Sequence, residues 1–208
     1  MMFLFLFIVF AITAAAIWFQ GLWSAAITLI NLFLAMFLAV NFWEPLCTLF
    51  DGLQPSFTYL VDFLVLWLLF AICFGSLRAI TDMLSKKRVK FNLPVEMTGR
   101  SLLAIWCGWL MVCFAAFSLH MAPLNSPTPL GAWQTPADAV FFGADRVWVG
   151  FLQQESRGAL ARGNRAETPD HPRDQNLNVE TFDPFSEFPI KYRARREKYA
   201  KLESMRVP

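Results

Sequence analysis

Long apolar runs, nearly free of charge, fill the first 122 positions of the chain. A helix rising 1.5 Å per residue needs roughly 20 apolar residues to cross about 30 Å of hydrocarbon. Four stretches meet that length: residues 1–19, 22–43, 57–77 and 101–122. The first two together make 43 uncharged residues, about twice one span, so Gln20-Gly21 reads as a tight turn joining two antiparallel helices rather than the middle of a single one. The first run has no basic residue near its start and exceeds the usual length of a signal-peptide core, so it reads as a retained helix. Glu44-Pro45 closes the second run and Pro123 the fourth.

The pattern then changes. Residues 123–134 are rich in Pro and small polar residues and read as a linker. From 135 to 162 the spacing predicts an amphipathic helix at the membrane interface or docked on the bundle. Thr135 is its cap, Pro136 and Asp138 suit its first turn, and Ala137, Val140, Phe141, Ala144, Val147, Trp148, Phe151 and Leu152 form its apolar stripe. Asp138, Asp145, Arg146, Gln153 and Gln154 provide its polar positions. Residues 163–208 read as a flexible polar tail ending in a short basic helix over 192–205. The predicted fold is an all-α membrane protein: four transmembrane helices in two hairpins, an amphipathic helix and a largely disordered C-terminal tail.

Charge sharpens this picture. Up to Leu77 the only charged side chains are Glu44, Asp51 and Asp62, and all 18 Lys and Arg residues lie from Arg78 onward. Nothing in that first segment could cover a water-soluble surface. A net charge of +2 gives no reason to expect nucleic acid as a partner. The expected partners are the lipid bilayer and a protein, either foreign or a second copy of the chain. In the loop from Arg78 to Arg100, Lys86, Lys87, Arg88, Lys90 and Arg100 form a basic anchor, whereas the loop between the second and third spans carries Glu44 and Asp51 and nothing basic. Basic short loops stay cytoplasmic. With four spans, both termini are then external.

Candidate chemistry is sparse, and no catalytic, cofactor-binding or metal-ligating set is expected. The four cysteines, Cys47, Cys73, Cys107 and Cys113, form no close reactive pair and read as structural thiols. His120 stands near the outer end of the fourth span, where an interfacial role is expected, and no Gly-rich phosphate loop or His/Glu metal signature occurs. Polar groups inside a membrane are expensive, so they mark where function is to be sought. Asp62 is the one carboxylate within a span. In the second span Ser24, Thr28, Asn31, Ala35 and Ala39 recur every three or four residues as a small, polar stripe, the composition of a helix-packing seam with Asn31 bonding a neighbouring helix.

The layout resembles the CvpA (colicin V production protein) family over about residues 1–122. The likeness rests on the four spans, on the hairpin glycine Gly21 followed by LWSAAITLINL, and on Gly99-Arg100-Ser101-Leu102 leading into the fourth span. Gly99 stands where that family tends to have an acidic residue, and Trp106-Cys107-Gly108 approximates its Phe-Gly step. The resemblance implies an integral inner-membrane protein, non-enzymatic and without cofactor, acting in toxin production or export or in envelope homeostasis. Alternatives are a small oligomeric transporter or channel subunit using Asp62 and Asn31, and a membrane redox protein using the cysteines.

Overall fold

A computed structural model of the 208-residue chain describes residues 2–50, 58–85, 91–122 and 141–157. The chain divides into two units, Met1–Pro123 and Leu124–Pro208, which are described separately. All regular structure among the described residues is helical. The first unit contains α1 (Met2–Trp18), α2 (Leu22–Phe50), α3 (Thr58–Leu84) and α4 (Leu93–Met121). Helices satisfy their backbone polar groups internally, which is what an apolar surrounding demands. Within α2, α3 and α4, the segments Leu22–Trp43, Val61–Leu84 and Leu93–Met121 are long and apolar enough to cross a membrane; the apolar part of α1, Phe3–Trp18, is shorter. Large apolar side chains stand outward along the unit, among them Phe7, Ile12, Leu68, Ile72, Leu102 and Ile105. A soluble monomer rarely shows so much contiguous apolar surface, so the unit is built for lipid.

The turn between α1 and α2 is made by Gln20, whose N–H donates to Ile17 O at 3.0 Å, and by Gly21 at φ +85°. That left-handed backbone position is easy only without a Cβ. The tight turn does not make its two helices packing partners. The extensive pairings are α2 with α3 and α1 with α4, while α1–α2 and α3–α4 touch sparingly. This corrects the expected arrangement of two sequential hairpins. Helices surrounded by lipid associate where small residues let backbones approach. Gly108 provides such a place on α4: a Cβ there would lie 2.9 Å from Phe10 Cδ2 and 3.3 Å from Phe10 O.

Three helices are longer than their apolar runs. α2 continues through Pro45 to Phe50, so Cys47 is a buried helical residue. A mid-helix proline costs about 3 kcal/mol, but Trp43 and Cys47, one turn apart, are both buried across it. α3 carries Arg78, Thr81 and Asp82 on its last turns instead of releasing them into a loop. Arg78 pairs with Asp82 at 3.0 Å in an i,i+4 arrangement, which lets the helix continue past its first cation. α4 begins at Leu93, preceded by extended Asn92, with Pro94 in its opening turn and Glu96 close behind, so Arg100 is helical as well.

In the second unit a 3-10 turn, Phe141–Gly143, precedes α5 (Ala144–Arg157). The expected continuous helix from 135 is broken here, because Phe142 (φ 59°) and Gly143 (φ 69°) are both left-handed. Asp145, not Asp138, is the acid in the first turn of α5. Ala144, Trp148 and Leu152 are buried at i, i+4 and i+8, and Val147 is exposed. Asp145 is buried too, contrary to its assignment to the polar face. The linker 123–134, the cap Thr135, the tail 163–208, and Lys86, Lys87, Arg88 and Lys90 lie outside the described residues.

Candidate functional site

The small, polar face of α2 meets the last turns of α3. Thr28, Asn31, Ala35 and Ala39 are buried in the first unit and Ser24 is partly exposed. Asn31 Nδ2 donates to Thr81 Oγ1 at 2.8 Å. Asn31 lies nine residues into α2, about 13 Å along its axis. Nearer the end of the unit, the Arg78 guanidinium spreads over three acceptors. Nη1 donates to Thr28 Oγ1, Nη2 to Ser24 Oγ at 2.8 Å and Nε to Asp82 Oδ2 at 3.0 Å. Ser24 and Thr28 in turn donate to Gln20 Oε1 at 3.2 and 3.0 Å, linking the α1–α2 turn to α3. A guanidinium is a fixed fork of five donors, and here it ties two helices through neutral hydroxyls while Asp82 offsets its charge. Trp23 Nε1 donates to Ser85 Oγ at 2.8 Å at the same end.

A second polar group belongs to α1 and α4. Arg100 lies 4.1 Å over the ring of Trp18, a cation–π stack, and Trp18 Nε1 donates to Ser101 Oγ at 3.0 Å. A Cβ on Gly99 would lie 2.7 Å from Leu22 Cδ1, and one on Gly21 would lie 3.4 Å from Glu96 Oε1. Glu96 therefore stands beside the start of α2, where the positive end of the helix favours a carboxylate. Trp18, Trp23, Arg78, Asp82, Glu96 and Arg100 thus gather at one end of the first unit.

At the opposite end, Asp62 and His120 are both buried, at 6% and 2% exposure. His120, one residue before the end of α4, thus keeps its side chain inside the unit. Trp67 Nε1 donates to Ser118 Oγ at 3.1 Å, which aligns α3 and α4 at that level. Asp62 is five residues beyond Trp67 and His120 two beyond Ser118, so their levels differ by about 5 Å, less than one helical turn. The rings of Trp67, Phe70 and Phe114 pack edge-on or tilted between 5.0 and 5.8 Å just below them. Asp62 and Arg78, sixteen residues apart on one helix, are about 24 Å from each other and do not pair.

Cys47, Cys107 and Cys113 are buried and Cys73 is half-buried, and none of them is in a disulfide. Among the described residues no three His, Cys, Asp or Glu side chains converge as a metal-binding group would. Trp18 and Thr81 belong to these networks yet were not singled out by sequence, and Gln20, Arg78 and Ser101 were read only as turn, loop edge and entry to the fourth span. The readable signal was the Arg78–Thr81–Asp82 spacing, which keeps one helix face polar beyond the apolar run. No family model, curated protein or solved structure matches the chain.

Proposed function

We propose that the chain is a CvpA-like, four-span protein of the inner membrane, with α1 as the fourth span. It acts without chemistry of its own, as a scaffold or accessory in colicin V-like toxin production or export or in envelope homeostasis. The observation that carries this reading is that the two separate segments bearing the resemblance meet in space. Gly99, in one, lies against Leu22, in the other, and Arg100 and Ser101 engage Trp18, just before the first of them. In this reading the end bearing Arg78, Arg100 and the basic anchor is cytoplasmic, both termini are external, and the tail is the arm that meets a partner. Cross-linking in native membranes tests it. The full chain should capture a specific protein, and the chain ending at residue 122 should lose that protein while remaining in the membrane fraction. A full chain that inserts but captures nothing overturns the scaffold.

The buried Asp62 and His120 at one level favour a second reading, a subunit of an ion-coupled transporter. In proteoliposomes, Asp62→Asn should then abolish proton-driven flux; equal flux in both forms removes this reading.

A further inference from the structure

We propose that Arg100 and Trp18 form a binding site for the phosphate of an anionic phospholipid. Four observations converge on it. Among the described residues the half-buried Arg100 guanidinium has no ion-pair partner within 4.0 Å and donates no hydrogen bond; its Nε is wholly enclosed. Glu96, one turn before it on α4, does not neutralise it. A guanidinium carries five N–H donors in a plane, and a phosphate oxygen pair is the acceptor that matches that fork. Trp18 holds the plane from one face at 4.1 Å and is itself fixed by its hydrogen bond to Ser101, so the fork is oriented before any ligand arrives.

The neighbouring surface fits a lipid rather than a free ion. Trp18 and Phe19, edge to face at 5.4 Å, are 38% and 79% exposed beside the charge, an aromatic patch of the kind that sits at headgroup level. Arg78 shows the contrast. Its guanidinium is engaged by Ser24, Thr28 and Asp82, so the two arginines at this end divide the work: one clamps helices and the other faces the headgroups. This site requires only that the first unit is embedded in lipid, not that the chain acts as a scaffold.

The test uses the full chain in nanodiscs of phosphatidylcholine and phosphatidylglycerol in equal amounts, with the lipids retained on release counted by native mass spectrometry. About fivefold enrichment of phosphatidylglycerol is expected, the effect of one basic side chain at an anionic surface. Arg100→Gln and Trp18→Leu should each bring the ratio close to one. Arg100→Lys, which keeps the charge but loses the flat fork, should give an intermediate value and guards against a folding defect in the first two. A variant with Lys86, Lys87, Arg88 and Lys90 changed to Gln should keep most of the enrichment. Equal enrichment in the native chain and Arg100→Gln overturns the site. So does enrichment lost only in the four-lysine/arginine variant, which assigns it to diffuse loop charge. Displacement of the lipid by millimolar inorganic phosphate also overturns it, since the site would then be one for a free anion.

Discussion

Two glycines on neighbouring helices, Gly75 and Gly108, look alike in sequence and are opposite in the folded chain. Nothing lies within 4 Å of a Cβ built on Gly75, whereas one on Gly108 would press on the Phe10 ring and its carbonyl oxygen. Gly108→Val should therefore destabilise the α1–α4 pairing by about 1–3 kcal/mol, the usual result of overpacking. Gly75→Ala should be neutral or slightly stabilising, because alanine is the better helix former. Thermal unfolding of the two variants in one detergent checks both. Gly21→Ala, at φ +85°, should cost about 1–2 kcal/mol through its backbone alone. Gly21 could be assigned its turn from sequence because 43 uncharged residues demand a reversal near their middle. Gly108 could not, since its reason is a phenylalanine almost a hundred positions away.

At the scale of the helix, the polar stripe of α2 was legible because small and polar residues recur at helical spacing inside an apolar run. Its partner was not. Arg78 ends the apolar run by hydropathy, yet it sits on α3 because Asp82, Ser24 and Thr28 satisfy it there. The pairing of α2 with α3 and of α1 with α4 was also hidden, since a short connection brings helix ends together without obliging their faces to pack. The link between Asn31 and Thr81 lends itself to a double-mutant cycle. Asn31→Leu and Thr81→Val should each destabilise the unit, with a coupling of about 0.6 kcal/mol, the average for hydrogen bonds between helices in lipid. Additive effects would show that the bond contributes nothing. The α5 boundary failed for a different reason. Apolar spacing ran smoothly through Phe141, but two successive left-handed residues, which periodicity does not register, start the helix later.

For the molecule as a whole, the concentration of charge after Leu77 made the membrane reading available before any coordinates, and the outward apolar faces of α1, α3 and α4 agree with it. The polar end was only half legible: the basic loop could be read, but not the hydrogen bonds and the stack by which Trp18, Trp23, Arg78 and Arg100 join the helices there. Orientation has a direct check. In a chain whose four native cysteines are alanine, a membrane-impermeant thiol reagent applied to intact cells should label Gln54→Cys and spare Lys87→Cys. The reverse pattern would invert the topology. Because Cys47, Cys107 and Cys113 are buried and in no disulfide, the alanine background should also keep full activity; its loss would revive a thiol-based role.

The pairing of α1 with α4 sets an order of assembly within the first unit. As the chain leaves the ribosome, α1 is made first, yet its seat around Gly108 is synthesised only after α2 and α3 are complete. Those two can close on each other while α1 waits in the bilayer. A nascent chain halted at residue 92 would thus hold a finished inner pair and an idle N-terminal helix, open to capture by quality-control proteases until the final rod arrives to lock it.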